Sequence, residues 1–453
     1  MGLTMKTAAP PTSGIGVLMN AELFRDLVPG VHTLGGQGNT LAIETHEGVV
    51  IVDAGPGGQV SQQMIARLRT LTQTRVHAIV YSHGHAGYNA GVQVWIAHAL
   101  ARGEAPPLRI AHRNVARRYQ RYVETAGLQA WLNSRQFRRP FKAASAQDFP
   151  MPQVLFEDSL RLALGDRVVE LVAAPSETDD TVAVWLPQER FLYGSAAMIR
   201  SIPNIGTPLR TLRDPMRWVE TLERLHALGP TMVLPEFGSP ITNGADIEAA
   251  FWVPIRALRW LRAEVVRRMN AGQSEREILA GMHYPPALFG HRFMRAIYGS
   301  PGYIVRDIWR SESGWWDRNP TQLHPARPAD AAAAIVAALG DTGAVLAHAQ
   351  RLGDEGRTQL ALHVVDLVAT ASDDPVAQAA RELKAKLCEA RALQCSSVVS
   401  RQILRSCAED LRGLPVGSTR DDDSPINFSW DGNNNPAPPS GIGVSRLGPV
   451  ISA

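Results

Sequence analysis

Residues 81–91 read Tyr-Ser-His-Gly-His-Ala-Gly-Tyr-Asn-Ala-Gly, and they directly follow a short apolar segment at residues 76–80. The apolar segment predicts a strand, which places His83 and His85 on the loop just beyond its end, where active sites commonly lie. Two histidines at positions i and i+2 can share one cation. The same spacing also occurs in surface histidines and in histidines that support a site without binding metal, so both interpretations stay open at this point.

The segments around this loop predict strands and helices in a defined order. Upstream, residues 39–53 read as two strands joined by a turn at Glu47-Gly48, and a helix is predicted at about residues 60–71. Downstream, further segments have the apolar patterns of strands, and these are residues 154–164, 168–174, 181–186 and 191–195.

The histidine loop resembles the His-x-His-x-Asp-His signature of the metallo-β-lactamase superfamily, and the order of the preceding elements resembles the start of its fold. The resemblance implies an α/β fold, namely an αββα metallo-β-lactamase sandwich. In that superfamily the two histidines serve a first zinc and the Asp-His pair serves a second. Here Gly87 takes the place of the Asp and Tyr88 that of the second His. Glycine offers no ligand and a phenol binds zinc poorly at neutral pH, so a normal two-zinc centre is not expected.

The loop at residues 174–180 resembles the Pro-Gly-Thr-Glu loop of the alkylsulfatase branch of the superfamily, and the resemblance places Glu177 on the metal-binding Glu of that loop. It therefore implies a zinc site formed by His83, His85 and Glu177. Such a site holds at most one zinc per chain, with an open fourth position of the kind that catalytic zinc uses. The alternative for Glu177 is an ordinary polar loop residue.

Two later positions depart from the pattern of the branch. Ala196 stands where the branch has a metal-bridging Glu, and Glu236 falls near its late metal-binding His. Alanine cannot bind a metal. Glu236 can bind a cation through oxygen, or it can be an ordinary loop carboxylate.

The branch holds its sulfate ester with Arg and Asn residues from one region, and here that region contains Asn204, Arg210 and Arg213. The resemblance implies that these three residues bind an anionic small-molecule substrate. A guanidinium suits a tetrahedral oxyanion because its planar fork donates two parallel hydrogen bonds. The alternative is a set of solvated loop residues.

The C-terminal part reads as helical. A helical stripe of apolar residues covers residues 255–269, a capping box starts a helix near Ser274, and further helices are predicted at residues 343–352, 360–370 and 375–393. Residues 314–325 closely resemble landmarks of the alkylsulfatase dimerisation domain, including Gly-Trp-x-Asp-x-Asn-Pro and Leu-His-Pro. The resemblance implies an all-α dimerisation domain and a homodimer. The predicted division is an N-terminal extension at 1–30, a metallo-β-lactamase-like catalytic domain at 31–250, the helical dimerisation domain at 251–412 and a flexible tail at 413–453.

The composition of the chain does not favour a nucleic-acid-binding, membrane-bound or secreted protein. The 453 residues are 45% hydrophobic and carry a net charge of +3, with basic and acidic residues interspersed, which does not favour a nucleic-acid-binding protein. No apolar segment has the length of a membrane span or of a signal peptide, so we expect a cytoplasmic protein without membrane attachment. One local basic cluster either faces an anionic substrate or forms a solvated helix face, and it consists of Arg135, Arg138, Arg139 and Lys142.

Three functional hypotheses follow. The first is an alkylsulfatase-like ester hydrolase with one zinc. The second is a metal-independent enzyme on the same fold, in which groups such as Tyr88, His85 and Glu236 act as acid and base. The third is a non-catalytic dimeric binding protein. Tyr88 and Glu236 are the catalytic candidates because they stand where metal ligands are expected.

Overall fold

The computed structural model describes residues 23–371 and 375–419, which form two sheets between helices, followed by a helical part. The strands are β1 (Val31–Thr33), β2 (Leu41–Thr45), β3 (Gly48–Val52), β4 (Val76–Val80), β5 (Leu108–His112), β6 (Val154–Phe156), β7 (Ser159–Leu164), β8 (Arg167–Ala173), β9 (Val182–Leu186), β10 (Phe191–Ser195) and β11 (Met232–Pro235). The helices are α1 (Gly58–Leu71), α2 (Val92–Ala101), α3 (Asn114–Glu124), α4 (Ala126–Phe137), α5 (Pro215–Ala227), α6 (Gly244–Asn270), α7 (Glu275–Gly281), α8 (Pro286–Phe289), α9 (Pro301–Ser313), α10 (Pro328–Leu339), α11 (Thr342–Asp354), α12 (Thr358–Ala371), α13 (Pro375–Leu393) and α14 (Val398–Leu411).

The first sheet has the strand order β1-β2-β3-β4-β5-β6, and the second has the order β11-β10-β9-β8-β7. Strands β3 to β6 run parallel, so the loops after β3 and β4 leave the same edge of the first sheet. In the second sheet, β10 and β11 pair in parallel while the other neighbours are antiparallel. The parallel strands place several chain turns at one end of the sandwich.

The sandwich has three apolar cores, one between the two sheets and one between each sheet and the helices that cover it. Side chains of β3 alternate between two of these cores. Val50 and Val52 point into the core between the two sheets, whereas Ile51 points into the core beneath α1 and α2. On the far side, Trp218 of α5 and Phe251 of α6 pack on the second sheet. Both faces of β3 are therefore covered, which is why its sequence is a continuous apolar run. This arrangement confirms the predicted αββα fold.

Helix α6 joins the sandwich to the helical part. It begins after Asn243, whose side chain accepts hydrogen bonds from the N–H groups of Ala245 and Asp246. The core beneath it continues from the second sheet to Ile278 and Ile308. The predicted boundary between residues 250 and 251 falls inside this continuous helix, which also extends the helix predicted at residues 255–269 in both directions.

The rest of the chain forms further helices, and those predicted at residues 343–352, 360–370 and 375–393 are α11, α12 and α13. They share a small core of their own. The last helix, α14, returns to the sandwich and packs against α4. Residues 413–419 of the predicted tail follow it, and Thr419 contacts Arg138. The remainder of the predicted tail and residues 1–22 of the predicted N-terminal extension lie outside the described residues.

Within the described ranges, no single helix is both long and apolar enough to cross a membrane. Only α10 and α11 taken together reach that length and composition, and they are separated by a bend of 99°.

Candidate active site

His83 and His85 lie on the loop that follows β4. His83 is fully buried and His85 is partly exposed. The Nε2 atom of His83 lies 3.0 Å from Nδ1 of His85, and Nδ1 of His83 lies 2.9 Å from Oγ of Ser82. One carboxylate oxygen of Glu177 completes a cluster in which the three potential ligand atoms lie within 4.8 Å of one another. The structure thus brings the three predicted metal ligands together.

Both imidazoles are neutral at neutral pH. Burial lowers the pKa of His83 to about 4, although the charges of Glu177 and Asp180 act in the opposite direction. Burial, followed by the neighbouring His83 and Arg118, holds the pKa of His85 well below its usual value. Neutral imidazole, with an available lone pair, is the form that binds metal ions.

Glu177 is held in place by two of the residues predicted to bind substrate. Its Oε1 atom accepts a hydrogen bond from Nδ2 of Asn204 at 2.6 Å and lies 3.2 Å from Nη2 of Arg213. Asn204 is fixed in turn, because its Oδ1 accepts a hydrogen bond from the hydroxyl of Thr207. The backbone N–H of Arg213 donates to Oδ2 of Asp307 at 3.0 Å. Asn204 and Arg213 therefore orient the carboxylate of the cluster.

A buried carboxylate, Asp180, connects the loop of Glu177 to the histidine loop. Its Oδ2 accepts a hydrogen bond from the backbone N–H of Gly84, between the two histidines, at 3.2 Å and another from Nε of Arg118 at 2.7 Å. Its Oδ1 accepts from the hydroxyl of Thr178. Arg118 also donates to Asp179 at 2.5 Å. Since Asp180 is fully buried, these contacts fix the distance between the two ligand-bearing loops.

Tyr88 and Glu236 form a buried pair beside the histidines. The Tyr88 hydroxyl donates a hydrogen bond to Oε1 of Glu236, and the same oxygen lies 4.0 Å from Nε2 of His83. Burial, reinforced by the negative charge of Glu177, raises the pKa of Glu236 well above its usual range. Burial and the neighbouring Glu236 also raise the pKa of Tyr88 well above its usual value. Tyr88 therefore keeps its proton at neutral pH, and burial favours the protonated form of Glu236.

Asp53, directly after β3, lies beneath the histidine loop. Its Oδ1 accepts hydrogen bonds from the N–H of Ser82 at 2.8 Å and from Nδ2 of Asn89 at 3.0 Å. Its Oδ2 is buried and has no hydrogen-bond partner among the described residues. Burial raises the pKa of Asp53 to about 7, with these hydrogen bonds acting in the opposite direction. Asp53 therefore supports the backbone from which the histidines project.

A cleft of about 560 Å³ opens beside this cluster, and His85, Glu177, Arg210 and Glu236 line it. Arg210 donates a hydrogen bond from Nη2 to Oδ1 of Asn133 at 2.8 Å, which is a neutral partner. By contrast, Arg118 and Arg213 form ion pairs with carboxylates. Burial lowers the pKa of Arg210, yet a guanidinium stays charged in proteins. Arg210 is thus a cation of the cleft that is suited to an anionic ligand.

Seven of the predicted metal-binding, substrate-binding and catalytic residues line this cleft, and the eighth, His83, lies behind them within 3.0 Å of His85. The seven are His85, Tyr88, Glu177, Asn204, Arg210, Arg213 and Glu236. Sequence reasoning missed Asp180, Arg118 and Asn133, which support the site, and also Gln37. The Gln37 side chain is buried in the cleft wall, and its Oε1 has no hydrogen-bond partner among the described residues. The adjacent acids Asp179 and Asp180 were visible as a polar loop, but nothing in their spacing indicated that one of them reaches the histidine loop.

The comparisons with known proteins agree with this architecture. Residues 33–235 match the model of the metallo-beta-lactamase superfamily, and residues 274–413 match that of the alkyl sulfatase dimerisation family. The chain is similar to the stereoselective inverting sec-alkylsulfatase of a Pseudomonas species, whose solved structure superposes with a TM-score of 0.76 at 21% identity over 87% of this chain and 66% of that one. That similarity confirms the fold.

Two curated proteins are also similar to the chain. One is the linear primary-alkylsulfatase of Pseudomonas sp. (strain ATCC 19151), which is 27% identical over 323 residues, covering 67% of this chain and 61% of that protein. The other is the (R)-specific secondary-alkylsulfatase of Pseudomonas sp., which is 24% identical over 432 residues, covering 88% of this chain and 64% of that protein. The chain thus spans less than two thirds of the length of these relatives.

Proposed function

Because residues 33–235 belong to the metallo-beta-lactamase superfamily and residues 274–413 to the alkyl sulfatase dimerisation family, we propose that this protein hydrolyses sulfate esters of alcohols with at most one zinc per chain. The observation that carries the proposal is the cluster of His83, His85 and Glu177 beside a cleft that also presents Arg210. A metal-binding cluster next to a guanidinium that is hydrogen-bonded to a neutral side chain suits an anionic ester.

The donor set of the cluster fits zinc. Two neutral imidazoles and one carboxylate are typical ligands of catalytic zinc. Ser82 Oγ can accept the N–H of His83 Nδ1, which leaves Nε2 of His83 available to the metal. Both polar contacts of Glu177 fall on Oε1, so Oε2 can serve as its ligand atom. If zinc is bound, His83, His85 and Glu177 would hold it, and it would supply Lewis-acid chemistry at the cleft.

Three residues that line the cleft bind the sulfate group and orient the predicted metal ligand Glu177. Arg210 binds the sulfate group, because its guanidinium lines the cleft and its side-chain hydrogen-bond partner among the described residues is the neutral Asn133. Asn204 and Arg213 keep Glu177 in one orientation while they line the same cleft. The substrate therefore meets groups whose positions are already fixed, which reduces the entropy lost on reaching the transition state.

The Tyr88–Glu236 pair supports a limit of one zinc. These two side chains stand where ligands of a second metal are expected, and they bind each other instead. Gly87 and Ala196 offer no ligand atoms, and burial favours the protonated forms of Tyr88 and Glu236 at the other two positions.

Metal analysis and one substitution test the proposal. Protein purified without chelator should hold up to one zinc per chain and should hydrolyse sulfate esters faster than phosphate or carboxylate esters of the same alcohols. His83→Ala should abolish zinc retention and lower turnover by about a hundredfold or more, because the cluster loses a ligand. His283→Ala, at an exposed histidine, is the control and should change neither quantity. Two tightly bound zinc ions per chain, or full activity of His83→Ala, would contradict the proposal.

The Tyr88–Glu236 pair also favours a second candidate, a metal-independent enzyme that uses this pair for proton transfer. A phenol and a carboxyl in direct hydrogen bond, both buried at the cleft, can exchange a proton with a bound substrate. This candidate predicts activity that survives removal of metal by a chelator.

We also propose that the protein is a homodimer, since residues 274–413 match the alkyl sulfatase dimerisation family. The segment between α9 and α10 offers apolar side chains for such contact, with Trp315 70% exposed. The cytoplasmic location expected from the sequence stays a prediction.

A further inference from the structure

One wall of the cleft is built from aromatic side chains. Tyr122 comes from α3, Phe137 from the end of α4, and Phe141 and Phe149 from the segment that follows α4, and all four line the cleft. The ring centroids of Tyr122 and Phe149 lie 5.6 Å apart and those of Phe137 and Phe141 lie 5.9 Å apart. Both distances fall in the range of favourable aromatic pairs.

This aromatic wall begins beside the cation that is suited to the anionic group. Arg210 is bound by Asn133, which lies one helical turn before Phe137 on α4. Because Asn133 and Phe137 lie on the same helix and Phe137 lines the cleft, a ligand whose anionic group contacts Arg210 can place its attached group against the aromatic wall.

We infer that the alcohol part of the substrate is an aromatic ring, so that the cleft takes aryl sulfates in preference to linear alkyl sulfates. That the substrate carries a sulfate group depends on the proposed function. That the attached group is aromatic is inferred from the aromatic wall alone.

Two physical effects favour a ring here. A flat ring can pair edge-to-face or offset with the side chains of the wall, and each such pair adds stabilisation beyond the burial of apolar area. A linear chain makes no such contacts, and it loses rotational freedom about several bonds when it is fixed in a cleft. Both effects act on binding, so they can be measured without turnover.

Sulfonates provide the test, because their carbon–sulfur bond is not an ester and is not hydrolysed. Calorimetry should show that a naphthalenesulfonate binds about tenfold more tightly than hexanesulfonate. Phe141→Leu should weaken binding of the naphthalenesulfonate about fivefold and that of hexanesulfonate less than twofold, because leucine keeps apolar contact but removes the ring. Phe149→Leu is the second variant of the wall. Phe24→Leu, outside the cleft, is the control and should alter neither affinity.

The outcomes separate this inference from the proposed function. Equal or tighter binding of hexanesulfonate would overturn the inference, as would equal losses for both ligands in the two variants of the wall. If sulfate esters are hydrolysed while hexanesulfonate binds as well as the aromatic ligand, only the inference fails. If the naphthalenesulfonate binds preferentially but no sulfate ester is cleaved, the hydrolase proposal fails and the preference for a ring stands.

Discussion

At the scale of single residues, the pair of Tyr88 and Glu236 defines what the site can do. A carboxyl beside a metal ion normally stays ionised because the cation stabilises its charge. Glu236 instead contacts a phenol, in a buried place where its pKa is raised well above the usual range. Burial therefore favours the uncharged form of the carboxyl that lies beside His83.

Tyr88→Phe tests whether this pair takes part in the reaction. In a one-zinc hydrolase the hydroxyl of Tyr88 is not essential, so turnover should fall less than about tenfold, or roughly 1.4 kcal/mol. In a metal-independent enzyme the same change should lower turnover by about a hundredfold or more, since a proton donor is lost. Steady-state kinetics of wild type and variant, each with and without chelator, decide between the two. The hydrolase loses its activity in chelator, whereas the metal-independent enzyme keeps it.

Asp180 tests whether the link between the two loops controls metal affinity. Asp180→Asn keeps the size of the side chain but replaces one acceptor oxygen by a donor, so Gly84, Arg118 or Thr178 loses its partner. Zinc affinity should fall about 10- to 100-fold, as for other residues that orient metal ligands. Competition with a chromogenic chelator measures this loss. Asp158→Asn, at an exposed position, should leave the affinity unchanged, and an unchanged affinity of Asp180→Asn would show that the link is dispensable.

At the scale of secondary-structure elements, the contact between α4 and α14 holds the wall of the cleft. Arg138, just after α4, donates a hydrogen bond to Glu409 of α14 at 2.8 Å, and each side chain is only 1% exposed. Glu409 also accepts from the backbone N–H of Gly417 and from Thr419. These contacts, with the one from Arg138 first, hold the pKa of Glu409 below its usual value despite burial. The last helix therefore fixes the position of the helix that carries Asn133.

Removing one partner of this buried pair should destabilise the protein strongly. Glu409→Ala leaves the guanidinium of Arg138 buried opposite an apolar side chain, which costs about 3–5 kcal/mol of unfolding free energy. The same two elements offer a matched control in the half-exposed pair of Arg135 and Asp410. Asp410→Ala should cost no more than about 1 kcal/mol. Denaturant unfolding followed by circular dichroism measures both, and equal losses would mean that burial of the pair is unimportant.

The elements were largely predictable because their patterns are local. Apolar segments predicted β3 and β4, although β3 begins at Gly48, within the predicted turn, and the capping box at Ser274 marked the start of α7. The contacts of the site were not predictable, because they join distant residues: Tyr88 and Glu236 are 148 positions apart. The basic cluster illustrates the same limit. Sequence reasoning expected a solvated face or a substrate contact, yet Arg138 is buried by a helix that begins more than two hundred residues later.

At the scale of the whole molecule, the main prediction concerns the oligomeric state of the protein. The segment between α9 and α10 exposes apolar side chains that the described part of the chain does not cover, including Trp315, Trp316 and Leu323. Large exposed apolar side chains that lie close together mark interaction surfaces. This segment lies within the residues that match the dimerisation family.

Light scattering at micromolar concentration should therefore report a dimer. Trp315→Glu should shift the protein towards the monomer, because a buried charge without a partner opposes association. Trp131 is also an exposed tryptophan, at 48%, but it lies on α4. Trp131→Glu should leave the dimer intact. A monomeric wild type would contradict the prediction, and so would a dimer that tolerates Trp315→Glu.

The ion pair of Arg138 with Glu409 can form only late in the synthesis of the chain. The two residues are separated by 271 positions, and a ribosome that adds 5–20 residues per second needs roughly 14 to 54 s to cover that distance. The histidine loop is made before this interval and the predicted glutamate ligand early within it, while the aromatic side of the cleft still lacks the helix that holds it. The nascent chain can therefore acquire its metal ligands well before it acquires a complete substrate pocket.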